Sequence, residues 1–440
     1  MPNYPNDYNG IPITAMGSPL RANDDSPFLM FSQKIAVFLY LTGACFFVRS
    51  SVLHIYLVLS VLFVLIVGRK LLVSYAWVKI NRFQLWLILF AFLTVLTAIR
   101  SPNLTLTMKT TKSLLFFFAM GYIFSACIAT RRDLMTCIKL VVLVGTLLAL
   151  YTIKNRSLDS ELISEEGQRQ HIRYDGEFLR SSSTYDQDQG AVLNANTVAF
   201  YCANSFIFCL FLFQRSKKKT EIILWIACLA VLSIGVVLTG SRGAFLFTLI
   251  GCFLFLFYPV ASGRWKYYRL IATIAVVVLI LGLINIIPIF EFFYTNIGVR
   301  LLEGTDSDTQ HSNLARIEFY KQSWELFWDR PLFGHGTAAF MAYVSRICEV
   351  ELCEVAVSWG LAGIILFYGF YLTMLVCLYH HAKKGDEYAF LFFVWIICVF
   401  VINVSLITLY YPLLYACLAL VFWTQQNPEY YQRKEVKHRQ

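Results

Sequence analysis

Long apolar runs recur along most of this chain, and they limit its possible folds more than any other feature. A helix needs about 20 mostly apolar residues to cross the hydrocarbon core of a bilayer, and the sequence supplies such runs repeatedly. Backbone polar groups find no water there, so each run must pair its own N–H and C=O groups as a helix. The runs lack the alternating pattern of a barrel strand. The sequence therefore predicts an all-α, polytopic integral membrane protein.

The composition excludes a soluble globular domain. Of 440 residues, 58% are hydrophobic and 15% are charged, whereas soluble domains carry roughly 25% charged residues. Residues 1–27 are polar and show no short apolar core with a cleavage site, so a cleaved signal peptide is not expected. The 12 cysteines form no CxxC pair and no metal-ligand spacing. We expect neither a metal nor a cofactor.

About twelve transmembrane helices are predicted, together with two long loops on one side. The spans lie at about 31–48, 52–68, 83–99, 113–129, 134–153, 192–213, 222–239, 243–260, 269–289, 355–378, 387–404 and 407–424. The chain thus divides into a tail (1–30), nine helices (31–289) that include the loop 154–191, a large loop (290–354), three helices (355–424) and a second tail (425–440).

The distribution of Lys and Arg residues predicts how these helices are oriented in the membrane. Most Lys and Arg residues fall in the short loops and tails of one side, and such residues mark the cytoplasmic side of a membrane protein. Both tails are therefore predicted to be cytoplasmic, and the loops 154–191 and 290–354 to be on the outer side. The excess of Lys and Arg on the cytoplasmic side accounts for the net charge of +10. No basic domain stands apart from the membrane, so nucleic acid is not an expected partner.

The large loop is predicted to contain an amphipathic helix at 313–328. Ile317, Tyr320, Trp324 and Phe327 recur at helical spacing and form one apolar face, and Pro331 follows where the helix must end. We expect this helix to lie against the membrane surface or to cap the bundle. Its aromatic residues suit either stacking on sugar rings or an interfacial aromatic belt, and so do Tyr174 and Tyr185 in the other loop.

Two arginines are candidates for binding a phosphate group. Arg242 lies in Gly240-Ser241-Arg242-Gly243, a tight turn between two spans, and Arg316 begins the predicted loop helix. A guanidinium offers a rigid, bidentate fork for phosphate oxygens, and a helix N-terminus favours anions. The alternatives are an interfacial arginine that reaches lipid headgroups for Arg242 and a surface salt bridge for Arg316.

Three carboxylates and one histidine are candidates for a general base. Glu349, Glu351 and Glu354 precede a long apolar span, and Glu351 and Glu354 share one helical face. Such a carboxylate can take a proton from a sugar hydroxyl, although an acidic helix start that complements the helix dipole explains the same residues. His335, in a Gly-His-Gly turn, is the rival base, and a solvated loop histidine is its alternative.

Several of these segments together resemble the O-antigen ligase and polymerase superfamily. The run 238–245 resembles its "SRG" hairpin, and Asn194-Ala195-Asn196 resembles its "NpN" motif. Arg316 to Trp324, followed by residues 329–336, looks like its "R…W…DRPLfGxG" loop signature, and residues 360–363 look like the "GllG" of the next span. The resemblance covers about residues 190–380.

The resemblance implies a metal-independent glycosyltransferase of the bacterial inner membrane whose active side is periplasmic. Its donor is an oligosaccharide linked to undecaprenyl diphosphate, with Arg242 and Arg316 as the diphosphate-binding pair; a chain-length regulator is a further expected partner. Ligases usually show "HN" where this chain has Glu349 and Val350, whereas polymerases often carry acidic residues there. A polymerase is therefore expected, with a ligase as the first alternative. A transporter or flippase is the second.

Overall fold

A computed structural model describes eleven stretches of the chain: residues 31–46, 53–74, 80–128, 130–166, 173–174, 179–180, 195–239, 241–257, 307–344, 350–404 and 406–426. Their helices are α1 (Phe31–Phe46), α2 (Leu53–Ser74), α3 (Arg82–Ala98), α4 (Leu104–Cys127), α5 (Arg131–Glu166), α6 (Ala195–Arg215), α7 (Lys219–Leu238), α8 (Arg242–Phe257), α9 (Ser307–Asp329), α10 (Ala339–Val344), α11 (Glu351–Lys383), α12 (Glu387–Ile402) and α13 (Pro412–Gln426). One pair of two-residue strands, β1 (Arg173–Tyr174) and β2 (Leu179–Arg180), runs antiparallel.

The prediction of an all-α, polytopic membrane protein is confirmed. Five helices, α4, α5, α6, α7 and α11, are long and apolar enough to cross a membrane, and six shorter apolar helices accompany them. A helix occupies each predicted span except 269–289, which lies outside the described residues with most of both tails. The total of twelve spans stays a prediction.

The two predicted loops contain more helix than expected. Helix α5 continues to Glu166, so the loop predicted at 154–191 begins as helix. Residues 154–166 contain neither Gly nor Pro, and Gly167 is the first helix-breaking residue after them. Helix α9 begins six residues before the expected 313, α10 was not expected, and α11 begins at Glu351 rather than at 355.

Helices α6 and α13 form the centre of the bundle. Both are mostly apolar, and almost all of their described side chains are buried, as expected for helices enclosed by others. Helix α6 packs against α5, α7, α8 and α12, and α13 packs against α1, α3, α4, α5 and α12. The central position of these helices leaves α9 and α10 at the periphery, on α11.

Polar contacts join helix ends at the two ends of the bundle. At one end, Arg131 Nε donates to the Tyr388 hydroxyl at 3.2 Å, and Arg215 lies 3.2 Å from the Glu387 carboxylate. At the other end, the Thr107 hydroxyl donates to the Thr337 carbonyl at 2.8 Å. Each contact joins residues that the sequence assigns to the same side of the membrane.

Helix α9 packs on the protein through a different face from the one that its sequence suggests. Phe319 and Ser323 are buried, and the Phe319 ring meets Phe340 edge-to-face at 5.5 Å. Two residues of the predicted apolar face are turned outward, since Tyr320 is 44% exposed and Trp324 61% exposed, and Phe327 is half-buried. The side chain of Ile317 lies outside the described part of the chain.

Candidate active site

Helix α11 is broken at Gly360. This residue has φ +62° and ψ −153°, a conformation that is essentially restricted to glycine. A break in a membrane helix leaves backbone N–H and C=O groups without their helical partners, and these must be paired within the protein. Whether these groups can bind a ligand depends on which segment of the protein pairs with them.

The turn 331–336 pairs with the broken helix through its backbone. Four hydrogen bonds join the two segments: His335 N–H to Val357 O at 2.9 Å, Gly336 N–H to Ser358 O at 2.9 Å, Leu361 N–H to Pro331 O at 2.7 Å and Ala362 N–H to Leu332 O at 3.1 Å. The segments approach so closely that a Cβ atom on Gly334 would lie 2.6 Å from the Trp359 backbone nitrogen. The "RPLfGxG" and "GllG" motifs are therefore the two halves of one junction.

His335 connects this junction to α9. Its side chain is fully buried, with Nε2 2.8 Å from the Leu326 carbonyl and Nδ1 3.2 Å from the Tyr343 hydroxyl. A carbonyl can only accept, so Nε2–H donates to Leu326 and the Tyr343 hydroxyl donates to Nδ1. Both ring nitrogens are thus engaged, and the imidazole ties the last turn of α9 to the break in α11.

Glu351 holds the irregular segment between α12 and α13 by hydrogen bonds. Its side chain is fully buried, and its carboxylate accepts hydrogen bonds from the backbone N–H groups of Thr408 and Leu409. Its own N–H donates to the Asn403 carbonyl at 3.1 Å, and the Thr408 hydroxyl donates to the Asn403 side chain at 2.9 Å. Both carboxyl oxygens are occupied by the protein itself.

Glu354 lies one helical turn further along the same buried face of α11. The Ser358 hydroxyl donates to it at 2.9 Å and the Tyr410 hydroxyl at 2.7 Å. Both hydroxyls bind the same carboxyl oxygen, Oε1, and the backbone N–H of Ala338 also donates to this carboxylate.

The two candidate arginines are described only in part. Arg242 is the first residue of α8, and Arg316 is the tenth residue of α9; both side chains, and all of Glu349, lie outside the described residues. The expectation that Arg316 begins its helix was wrong, because α9 starts at Ser307. The helix dipole acts within the first turn, so it adds nothing at Arg316.

Four residues near the carboxylates were not predicted from the sequence: Ser358, Asn403, Thr408 and Tyr410. The last three belong to the non-helical part of 403–411, where tyrosines and a proline separate two apolar runs. That polar interruption is the signal that would have found them. Within the described residues, no group of three or more His, Cys, Asp or Glu side chains is arranged to hold a metal ion.

The comparisons with known proteins agree with the motifs that meet at this junction. A family model described as O-antigen ligase matches residues 226–368, which include every candidate site residue. No curated protein matches the chain. The match does not separate ligases from polymerases. The match over residues 226–368 confirms the resemblance of this part of the chain to the O-antigen ligase and polymerase superfamily.

Proposed function

We propose that the protein is a polysaccharide polymerase. It transfers a glycan from undecaprenyl diphosphate to a sugar hydroxyl of the next repeat unit on the periplasmic face of the bacterial inner membrane. The observation that carries this proposal is the buried carboxylate Glu354, one turn after Glu351, in the region where ligases usually have a histidine. Membrane lipid and a chain-length regulator are the further proposed partners.

The donor site is proposed to use Arg242 and Arg316. The anomeric carbon of the donor carries a diphosphate, which gains negative charge as the glycosidic bond to it breaks. Two guanidinium groups bind its oxygens and stabilise that charge. The energy for transfer is already stored in the donor, so the proposed reaction needs neither a nucleotide nor a metal ion.

Among the candidate bases, the contacts favour Glu354. Both oxygens of Glu351 are held by the segment 403–411, and both nitrogens of His335 are engaged. Glu354 is held mainly by the hydroxyls of Ser358 and Tyr410, which share Oε1, and by a single backbone N–H, that of Ala338. A hydroxyl can rotate away from a carboxylate, whereas the two backbone N–H groups on Glu351 are fixed. We therefore propose Glu354 as the base that takes the acceptor proton, with Glu349 and His335 as its rivals.

A ligase that transfers finished polymer to lipid A–core is the second candidate. The description of the matched family, O-antigen ligase, favours it. A strain that lacks the gene separates the two functions on a gel of its surface polysaccharide. Loss of a polymerase leaves single repeat units on the core, whereas loss of a ligase leaves polymer on the carrier lipid.

The donor site is tested in the same strain with plasmid-borne variants. Arg242→Ala and Arg316→Ala should abolish polymer at matched expression. Arg→Lys should restore it only in part, because an ammonium keeps the charge but loses the bidentate fork. Arg132→Ala, at an exposed position on the side assigned to the cytoplasm, is the matched control. Full activity in either alanine variant would show that the substituted arginine is not part of the donor site.

The base is tested in vitro with lipid-linked repeat units. Glu354→Gln should lower the turnover rate by roughly 10² to 10⁴, the usual contribution of a general base, while the donor still binds. If Glu354→Gln runs at the wild-type rate and His335→Ala or Glu349→Gln does not, the base is the rival residue.

A further inference from the structure

The outward side of α9 carries a row of exposed aromatic residues. Tyr320 is 44% exposed, Trp324 61% and Trp328 59%. They follow each other at intervals of four residues, so they occupy successive turns along one side of the helix. We call Tyr320, Trp324 and Trp328 the aromatic face of α9.

The two tryptophan rings of the aromatic face are held by each other and by Phe327. The Trp324 and Trp328 rings meet edge-to-face at 5.5 Å, and Phe327 packs against Trp324 at 6.1 Å and against Trp328 at 5.6 Å. Large apolar rings that remain exposed usually mark an interaction site. Because these rings brace each other, they offer a preformed surface to a ligand.

Charged residues alternate with the aromatic face, and this excludes the hydrocarbon core as its partner. The exposed neighbours are Glu318, Lys321, Glu325, Asp329 and Arg330. Ionised side chains at such a density are expensive inside a bilayer. Three of the five are acidic, which opposes close contact with phosphate headgroups. The partner of the aromatic face must therefore be apolar on one face and rich in hydroxyl groups at its edges.

Sugar rings meet that requirement. The C–H groups of a pyranose face pack on an aromatic ring, and its hydroxyls hydrogen-bond to neighbouring carboxylates and amines. We propose that the aromatic face of α9 binds the glycan of the lipid-linked substrate, with Glu325 and Lys321 available to its hydroxyls. This inference rests on the proposed function and specifies how the substrate's saccharide is held.

The position of Arg316 on the same helix supports this assignment. Arg316 precedes Tyr320 by one turn, and the rise of an α-helix places Trp324 about 12 Å and Trp328 about 18 Å further along the axis. With the diphosphate held at Arg316, the sugars attached to it extend along the aromatic face. The proposed diphosphate site and the proposed glycan site then follow one another along α9.

The first test measures turnover of lipid-linked oligosaccharide extracted from the deletion strain, with the full-length protein in nanodiscs. Trp324→Ala and Trp328→Ala should each raise KM about three- to tenfold, the range of a single aromatic contact, with kcat within about twofold. Trp→Phe should restore KM. Tyr379→Ala, an exposed aromatic at the far end of α11, is the control. An unchanged KM in both alanine variants overturns the proposal.

The second test does not require activity. The fluorescence contributed by Trp324, obtained as the difference between wild type and Trp324→Phe, should be quenched by aqueous acrylamide. Oligosaccharide released by mild acid from the strain's polysaccharide should protect it. Quenching by brominated phospholipid instead, without protection, would assign the aromatic face to the membrane surface and overturn the proposal. If Arg242→Ala and Arg316→Ala lose activity while the tryptophan variants keep their KM, the proposed function survives and the glycan site fails.

Discussion

Gly360→Ala is the substitution that most directly tests the junction between the turn 331–336 and α11. The φ of +62° and ψ of −153° at Gly360 lie in a region that an alanine reaches only under strain. An added Cβ would also lie 2.6 Å from the Pro331 carbonyl oxygen and 2.8 Å from the Gly334 nitrogen. Both neighbours are backbone atoms, so neither can move aside as a flexible side chain would.

The expected destabilisation follows from two contributions. Backbone strain of this kind costs about 1–3 kcal/mol. Separation of the two segments weakens their four backbone hydrogen bonds; each contributes about 0.5–1.5 kcal/mol net, and more if a buried group is left unpaired. Loss of two of the four adds about 1–3 kcal/mol. The free energy of unfolding should therefore fall by about 2–6 kcal/mol.

Gly369→Ala is the matched control on the same helix. A Cβ at Gly369 meets nothing within 4 Å, and alanine favours a helix over glycine by about 0.5–1 kcal/mol. Thermal unfolding of the two purified variants, followed by intrinsic fluorescence, should show a large loss for Gly360→Ala and no loss for Gly369→Ala. Equal stability of both variants would refute the backbone pairing across the break.

Three further predictions follow from the same contacts. Glu351→Gln should lower the free energy of unfolding by about 1–3 kcal/mol in thermal melts, because a Gln side chain has one acceptor oxygen for the two N–H groups of Thr408 and Leu409 and leaves one of them unpaired; unchanged melting would contradict the role of Glu351 in holding the segment 403–411. Tyr410→Phe should reduce kcat in the lipid-linked assay with little change in KM, and a wild-type kcat would remove Tyr410 from the site. In intact spheroplasts, an impermeant thiol reagent should label a cysteine at position 307 but not one in the C-terminal tail, in a background without reactive thiols; the reverse pattern would overturn the topology.

The helices could be predicted because their signals are local. Asn81 caps α3 with a reciprocal pair of hydrogen bonds to Gln84, and Asp386 caps α12 by accepting from the Tyr388 N–H. Both pairs lie within three residues, and the apolar runs that follow them set the helix lengths. Such signals locate helices without any knowledge of the tertiary fold, although α4 begins nine residues before its predicted span and α5 ends 13 residues after its predicted span.

The partners of the site residues could not be predicted, because they are distant in sequence. Glu351 binds backbone groups 57 and 58 residues away, and Glu354 binds Tyr410, 56 residues away. Spacing showed that the two carboxylates share a face, but not what that face meets. The face through which α9 packs on the protein could not be predicted for the same reason, since contact with the rest of the protein buries Phe319 and Ser323 rather than Tyr320 and Trp324.

The break in α11 also bears on the alternative that the protein is a transporter or flippase. Transporters build substrate and ion sites from broken helices, whose unpaired N–H and C=O groups bind the ligand. At Gly360 those groups are paired with the turn 331–336, and the neighbouring carboxylate of Glu351 is occupied by Thr408 and Leu409. Four backbone groups released by the break are therefore bound by the turn and are not available to a transported ion. The effect of the break is to attach α9, through His335 and the turn, to the helix that carries Glu354. A bond-forming enzyme needs such rigid attachment, because its diphosphate site and its base must keep a constant separation during transfer.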